Sequence, residues 1–188
     1  MYHIHHDRRS EHSAEAIYQA LSAVMQEKSF DKITISDLTR KCSFSRATFY
    51  RSFDEVDDVL AWKCNARYQE MNDAFEAETG HAEDGYAYLR HFFNYWMKDE
   101  NSLVLEQLIS IGHYDVIYQI HTDNSMLVRQ AIHEQVPQAD AYYDYYMAAV
   151  IGAFIGFLIT WIKHGRKLSA DQLIRMVQSV LDPDFHQV

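Results

Sequence analysis

Six glycines and two prolines in 188 residues leave this chain nearly without backbone breakers, roughly a third of the ~12% usual in globular proteins. Glycine and proline are the residues that permit tight turns, bulges and phosphate-cradling loops. Their scarcity disfavours collagen-like, disordered, turn-rich sandwich and glycine-looped doubly wound architectures. A mostly helical chain is expected. At this length a chain buries roughly 70% of the surface its unfolded form exposes, so it needs no covalent staple. Two cysteines, Cys42 and Cys64, are too few for a disulfide framework and suit a reducing compartment.

The opening residues, Met1 to Arg9, contain no apolar run, so no secretory signal is expected. The longest apolar stretch, Met147 to Ile162, is shorter than the ~20 residues of a bilayer span. A soluble, cytoplasmic protein with no membrane partner follows as the expectation.

A formal net charge of −10 argues, taken whole, against a nucleic-acid partner. The charge is unevenly spread. Residues 1–64 carry nine Lys/Arg against ten Asp/Glu, while residues 65–188 carry eight against seventeen. Between Lys28 and Arg51 stand Lys28, Lys32, Arg40, Lys41, Arg46 and Arg51 against only Asp31 and Asp37. Screening confines each charge to about 10 Å, so this local basic face, rather than the total, decides contact with phosphate. A solvated face on an acidic protein is the competing reading.

Apolar residues at helical spacing (Ala16, Ile17, Ala20, Leu21, Val24, Met25) predict a first helix from Ser13 to Met25. Thr34 then offers a cap, with Asp37 three positions on as a carboxylate capping box. Ile35, Leu38 and Cys42 share a face of this short second helix. Ser45 caps a third helix, Arg46 to Arg51, whose Phe49 points inward with Phe44 and Phe53. Asp54 is expected to cap a fourth helix running through Val59, Trp62, Cys64 and Tyr68 towards Glu78. Two short helices across a tight turn, braced by a longer one, form a helix-turn-helix. The small and polar side chains of its second helix let the backbone approach base edges in a major groove.

The run Ile33 to Phe53, and above all the Ser-x-x-Thr-Phe-Tyr-x-x-Phe spacing of Ser45, Thr48, Phe49, Tyr50 and Phe53, resembles the DNA-binding signature of tetracycline-repressor-type (TetR/AcrR) transcriptional regulators. The detailed match covers Ser13 to Trp62. The resemblance implies an all-α fold of about nine helices. In it, residues 1–56 form an N-terminal arm and a three-helix DNA-binding domain, and residues 57–188 form a helical dimerisation and effector-binding domain. Arg46, Ala47, Thr48 and Tyr50 are the candidates for the groove, and Thr34, Ser43, Ser45 and Arg51 for the backbone of double-stranded operator DNA. Three positions depart from the family pattern. Ser43 stands at the usual turn glycine, Phe44 at a smaller aliphatic residue, and Val56 at a lysine commonly aimed at phosphate. Phosphate grip would then shift to Arg40, Lys41 and Arg51.

In the acidic remainder, apolar residues cover most of the circumference of a helix from Gly85 to Lys98. A helical pair, Ser102 to Ile111 and Tyr114 to Glu134, follows across Gly112. Ala141 to Lys163 is the strongest helical pattern. Ala149, Gly152, Ala153, Gly156 and Thr160 form a small-residue stripe, opposite Ile151, Ile155, Leu158 and Ile162. Gly165 closes that helix, and Ser169 with Gln172 opens an amphipathic last one (Leu173, Ile174, Val177, Val180, Leu181). The run Gly152 to Leu173 also resembles the family, whose last two helices commonly form a four-helix dimer interface. The stripe, Leu173 and Val177 are therefore the candidates for a homodimer contact. The resemblance also places Trp62, Tyr68, Tyr86, Phe92, Phe93, Trp96, Tyr114 and Tyr118 where the family builds a small-molecule effector pocket. For any one of these rings, a filled core is the competing reading.

Other chemistries find little support. His3, His5 and His6 lie in a terminal arm, expected to be unstructured, with no matching ligand cluster for a metal. Arg8 and Arg9 of that arm are candidates for phosphate or the minor groove. Cys42 and Cys64 could form a redox switch, although buried cysteine behaves mainly as a small hydrophobe. No phosphate loop, nucleophile elbow or zinc motif appears, so neither an enzyme nor a cofactor is expected. The combined expectation is a one-component regulator, a repressor by preference, with an operator-binding homodimer tuned by a small molecule. The alternative is a helical interaction protein of the same fold that has lost operator binding.

Overall fold

A computed structural model describes residues 2–4, 8–42, 44–79, 86–125 and 143–181. Among them the chain is all-helical: nine α-helices, one 3-10 turn, and a lone antiparallel bridge between Tyr2 and Phe53. The helices are α1 (Arg8–Met25), α2 (Ile35–Lys41), α3 (Arg46–Ser52), α4 (Asp57–Thr79), α5 (Ala87–Met97), α6 (Asp99–Ser110), α7 (Tyr114–Asp123), α8 (Tyr143–Lys163) and α9 (Ala170–Leu181). Two compact units divide after Ala66, inside α4, whereas the sequence reading drew its boundary at 56.

In the first unit α1 packs on α2 and α3 through Ala14, Ile17, Tyr18, Leu21 and Val24. It starts at Arg8, earlier than the apolar repeat indicates. Ser13 Oγ donates to the Arg9 carbonyl (2.9 Å) and Glu11 sits in the favoured first turn, features that apolar spacing does not register. Thr34 and Asp37 form the expected capping box on α2. The start of α4 is a correction. The helix begins at Asp57, and Asp58 Oδ2 accepts the backbone N–H groups of Asp54 (3.1 Å) and Glu55 (2.9 Å), so Asp54 is not its cap. The terminal arm also departs from expectation. The His3 N–H donates to the Ser52 carbonyl (2.8 Å), and its imidazole lies 3.3 Å from both carboxylate oxygens of Asp54. His5, His6 and Ser43 lie outside the described residues.

Within this unit Lys63 is 8% exposed. Its ammonium donates to Glu15 on α1 (2.6 Å) and sits 5.1 Å from the Tyr18 ring centroid. Burial pushes the thiols of Cys42 and Cys64 up, and Cys64 is fully buried, the opposite of a reactive thiolate site.

In the second unit α5 packs on α6 and α9, α6 on α7 and α8, and α7 on α8. Tyr114 meets Lys163 and His121 meets Phe154, so α7 and α8 run antiparallel. Helix α7 stops at Asn124, whose N–H (3.0 Å) and side-chain amide (2.8 Å) both donate to the Ile120 carbonyl. The expected continuation to Glu134 lies outside the described residues from 126 onward. Gly165 (φ +70°) and Arg166 (φ 54°) end α8 in the left-handed region. The Arg166 N–H reaches back to the Trp161 carbonyl (3.0 Å), closing the last turn. The cost of that backbone for a non-glycine residue is offset by its guanidinium, which is held between Asp99 and Glu106. Ser169 and Gln172 then form the expected capping box.

Helix α8 has 21 residues, and an 18-residue window of mean hydropathy 1.9, long and apolar enough to cross a membrane by those two measures. The apolar run counted in the sequence was shorter because it stopped short of the helix ends. One face of α8 (Met147, Ile151, Leu158, Trp161, Ile162) is buried in its own unit. Away from that face Ala149, Gly152, Ala153, Gly156 and Thr160 are exposed, and so, near the start of the helix, are Tyr145 and Tyr146.

Candidate functional site

The face that α3 leaves to solvent follows from where its large apolar residues go. Phe49 and Phe53 are completely buried and Ser52 nearly so. One helical turn then turns Arg46, Ala47, Tyr50 and Arg51 outward, all exposed, with Thr48 half-buried between. Ser45 fixes the start of the helix. Its Oγ accepts the Thr48 N–H (3.2 Å) and lies 3.1 Å from the Thr48 hydroxyl. Tyr50 is 57% exposed and its ring meets Phe49 edge-on (5.7 Å, 89°), so a rigid aromatic stands out from the helix on a buried base. The Arg46 guanidinium bonds the Ser36 hydroxyl on α2, a partner the sequence reading did not name.

The basic stretch is thinner than its formal charge. Lys28 and Arg40 both meet Asp37, and Lys41 meets Glu27. The Lys28 ammonium, helped by the Thr34 hydroxyl and N–H, holds the Asp37 carboxyl well below the usual carboxylate range. Thr34 remains exposed but its hydroxyl is committed to that cap. Among the described residues Lys32, Arg46 and Arg51 have no acidic partner. The pairs of Arg40 and Lys41 lie at the surface, where ion pairs contribute little. Val56 is half-buried.

The aromatic residues separate into three places. Trp62 belongs to the first unit, its ring 6.1 Å from Phe53. Tyr114 and Tyr118 are on the surface, 39% and 40% exposed, with the Lys163 ammonium 5.0 Å from the Tyr114 centroid. Tyr68, Phe92, Phe93 and Trp96 come together in the core of the second unit, and Tyr86 is half-buried at the start of α5. Two residues absent from the sequence expectation complete the cluster. Phe154 of α8 touches Phe92 (4.8 Å) and Phe93 (5.6 Å), and His121 of α7 stacks on Phe154 (5.0 Å, 20°). His121 Nδ1 lies 3.3 Å from the Tyr68 hydroxyl, and burial pulls its pKa down to about 4. The spacing of Ile117, Ile120 and His121 placed the histidine on the buried stripe of α7, a signal readable beforehand.

The small-residue stripe of α8 is exposed: Ala149, Gly152, Ala153, Gly156 and Thr160 all face out. A Cβ built at Gly152 or Gly156 meets nothing within 4 Å. Leu173 and Val177 are 1% and 6% exposed, already covered by their own chain where α9 packs on α5, while Met176 is 44% exposed. No group of three or more His, Cys, Asp or Glu among the described residues is arranged to hold a metal ion.

Residues 83–183, more than half of the chain, match the family described as "Transcriptional regulator C-terminal region" (TetR_C_8). No curated protein matches the sequence. Among solved structures the chain is similar to the fatty acid degradation regulator FadR from Bacillus halodurans. That similarity has a TM-score of 0.59 at 15% identity and covers 90% of this chain and 94% of that one.

Proposed function

Because the chain belongs to the TetR/AcrR family of transcriptional regulators, we propose that it acts as a cytoplasmic repressor whose homodimer binds a palindromic operator and responds to a small molecule. The observation that carries the DNA-reading part is the outward face of α3, where Arg46 and Arg51 stand without acidic partners beside an exposed Tyr50. Arg46, Ala47, Thr48 and Tyr50 are assigned to base edges. Ser45, Arg51 and, on exchange of their surface pairs, Arg40 and Lys41 are assigned to phosphate. Dimerisation is assigned to the exposed stripe of α8, extended by Met176 rather than by Leu173 or Val177. A twofold contact there would present two α3 helices to half-sites ~34–36 Å apart. Sensing is assigned to the aromatic core of the second unit. Helix α4 runs unbroken across the division between the units, so a ligand that favours one setting of α4 would change operator affinity. Such coupling is typically ~1–3 kcal/mol, or ~5–150-fold.

Selection of bound fragments from genomic DNA, followed by titration at several salt concentrations, tests this reading. Binding should fall as salt rises, and Arg46→Ala should cost about 1–3 kcal/mol on the selected site while leaving random DNA nearly unaffected. An unchanged ratio between selected and random DNA removes Arg46 from base readout. Absence of any salt-dependent binding turns the conclusion to a helical interaction protein of the same fold.

A further inference from the structure

Trp96 is completely buried, yet its indole N–H has no acceptor. Native interiors rarely leave a buried donor unpaired, and each such case calls for a partner or a role. Trp96 sits in a cluster of rings at ordinary packing distances. The Tyr68 ring lies 5.0 Å from the Trp96 ring and 5.7 Å from His121, and Phe92 lies 6.1 Å and 5.9 Å from the same two. His121, 4% exposed, has Nδ1 beside the Tyr68 hydroxyl and its ring against Phe154. This aromatic cluster thus brings together the unsatisfied Trp96 donor and one imidazole. The hydroxyl of Tyr95, whose ring packs on Trp96 (5.4 Å), is likewise buried without a partner. Apolar walls with a few polar handles are a combination that ligand sites share. None of Tyr68, Phe92, Trp96, His121 and Phe154 carries a fixed charge. A carboxylate placed among them would lack a cation, and an ammonium would lack a carboxylate, and neither charge is stable in such surroundings. Neutral His121 is in keeping with that polarity.

We propose that Trp96, His121, Tyr68, Phe92 and Phe154 form the effector site, and that the effector is an uncharged aromatic or acyl compound with a carbonyl oxygen that accepts the Trp96 N–H. This rests on the effector-sensing reading above and adds the chemical class of the ligand. Phe154, the one half-buried ring of the five, is the side chain that yields on entry.

The test uses the full-length protein labelled with 15N, with acetophenone as probe and benzoate and benzylamine as its anionic and cationic counterparts. The three indole N–H resonances are assigned with Trp62→Phe and Trp161→Phe, which leave Trp96 intact. Before addition, the Trp96 signal should be protected from exchange yet lie upfield of that of Trp161, whose indole already donates to the Leu168 carbonyl (3.0 Å). Acetophenone should move the Trp96 resonance downfield in a saturable way, and benzoate and benzylamine should bind at least about tenfold more weakly at neutral pH. A Trp96 signal that never moves, or benzoate binding as tightly as acetophenone, overturns the proposal. Operator titration separates it from its premise. If acetophenone binds at Trp96 and operator affinity stays constant, the ligand class stands and sensing falls. If compounds change operator affinity without touching the Trp96 resonance, sensing stands and this site falls.

Discussion

Replacing Gly152 and Gly156 by alanine should push two quantities in opposite directions. Glycine inside a helix costs roughly 0.5–1 kcal/mol relative to alanine, because it gives up more backbone freedom on folding. Within the chain nothing repays that cost, since an added Cβ at either position meets nothing within 4 Å and neither residue has a positive φ. The double variant should therefore raise the intrinsic stability of the subunit by about 1–2 kcal/mol. A second copy of α8 lying across the stripe reverses the sign, because four added methyl groups enter a contact whose helix axes approach to about 8 Å. Overpacking of this kind costs about 1–3 kcal/mol, a ~5–150-fold loss in dimer affinity. Sedimentation equilibrium reads the dimer constant. Thermal unfolding across a wide range of protein concentrations separates the two effects, because only the dimer term depends on concentration. Below the dimer constant the variant should melt higher than the parent. Gly156→Arg, which places a charge in the contact, should give monomers that bind DNA poorly. A variant that gains stability with no change in dimer affinity would refute the assignment of α8 as the twofold contact.

The buried Lys63 ammonium predicts a strongly non-additive pair of substitutions. Glu15→Ala should destabilise the first unit by about 2 kcal/mol, less than a fully buried pair because Glu15 keeps 40% of its side chain exposed, whereas Lys63→Met alone or with Glu15→Ala should be near neutral in urea unfolding. His121 ionises at about 4 in the folded chain and at about 6.5 when unfolded, so between those pH values the unfolded state binds the extra proton and stability falls as pH is lowered. The full loss is about 3 kcal/mol, and His121→Phe should flatten that part of the stability profile measured by denaturant titration.

Features carried by a few neighbouring residues were correctly read from the sequence. The Thr34–Asp37 and Ser169–Gln172 boxes, the Ser45 cap and the Gly165 stop depend on side chains one turn from the backbone groups they satisfy. Where several carboxylates cluster, the same logic picks the wrong one, as Asp54 and Asp58 show. Ring types alone do not say which neighbour a ring meets. Trp62, Tyr114 and Tyr118 are aromatic like Tyr68 and Trp96, yet the first packs on Phe53 and the other two face solvent. The local basic count erred in a related way, because pairing of Lys41 with Glu27 joins residues fourteen apart.

With Arg46 assigned to base edges as proposed, its bond to Ser36 would put part of the reading apparatus on a second helix, α2. An arginine free to wander gives up roughly 2 kcal/mol of rotamer entropy when a base pair captures it. Under that assignment Ser36 would take some of the loss during folding, and the guanidinium would reach DNA already aimed. Sequence preference then has a hidden lever in α2. A chain that drifts at position 36 can alter how sharply it discriminates between sites while every residue that touches a base stays the same. Comparison of recognition helices alone would score two such chains as identical.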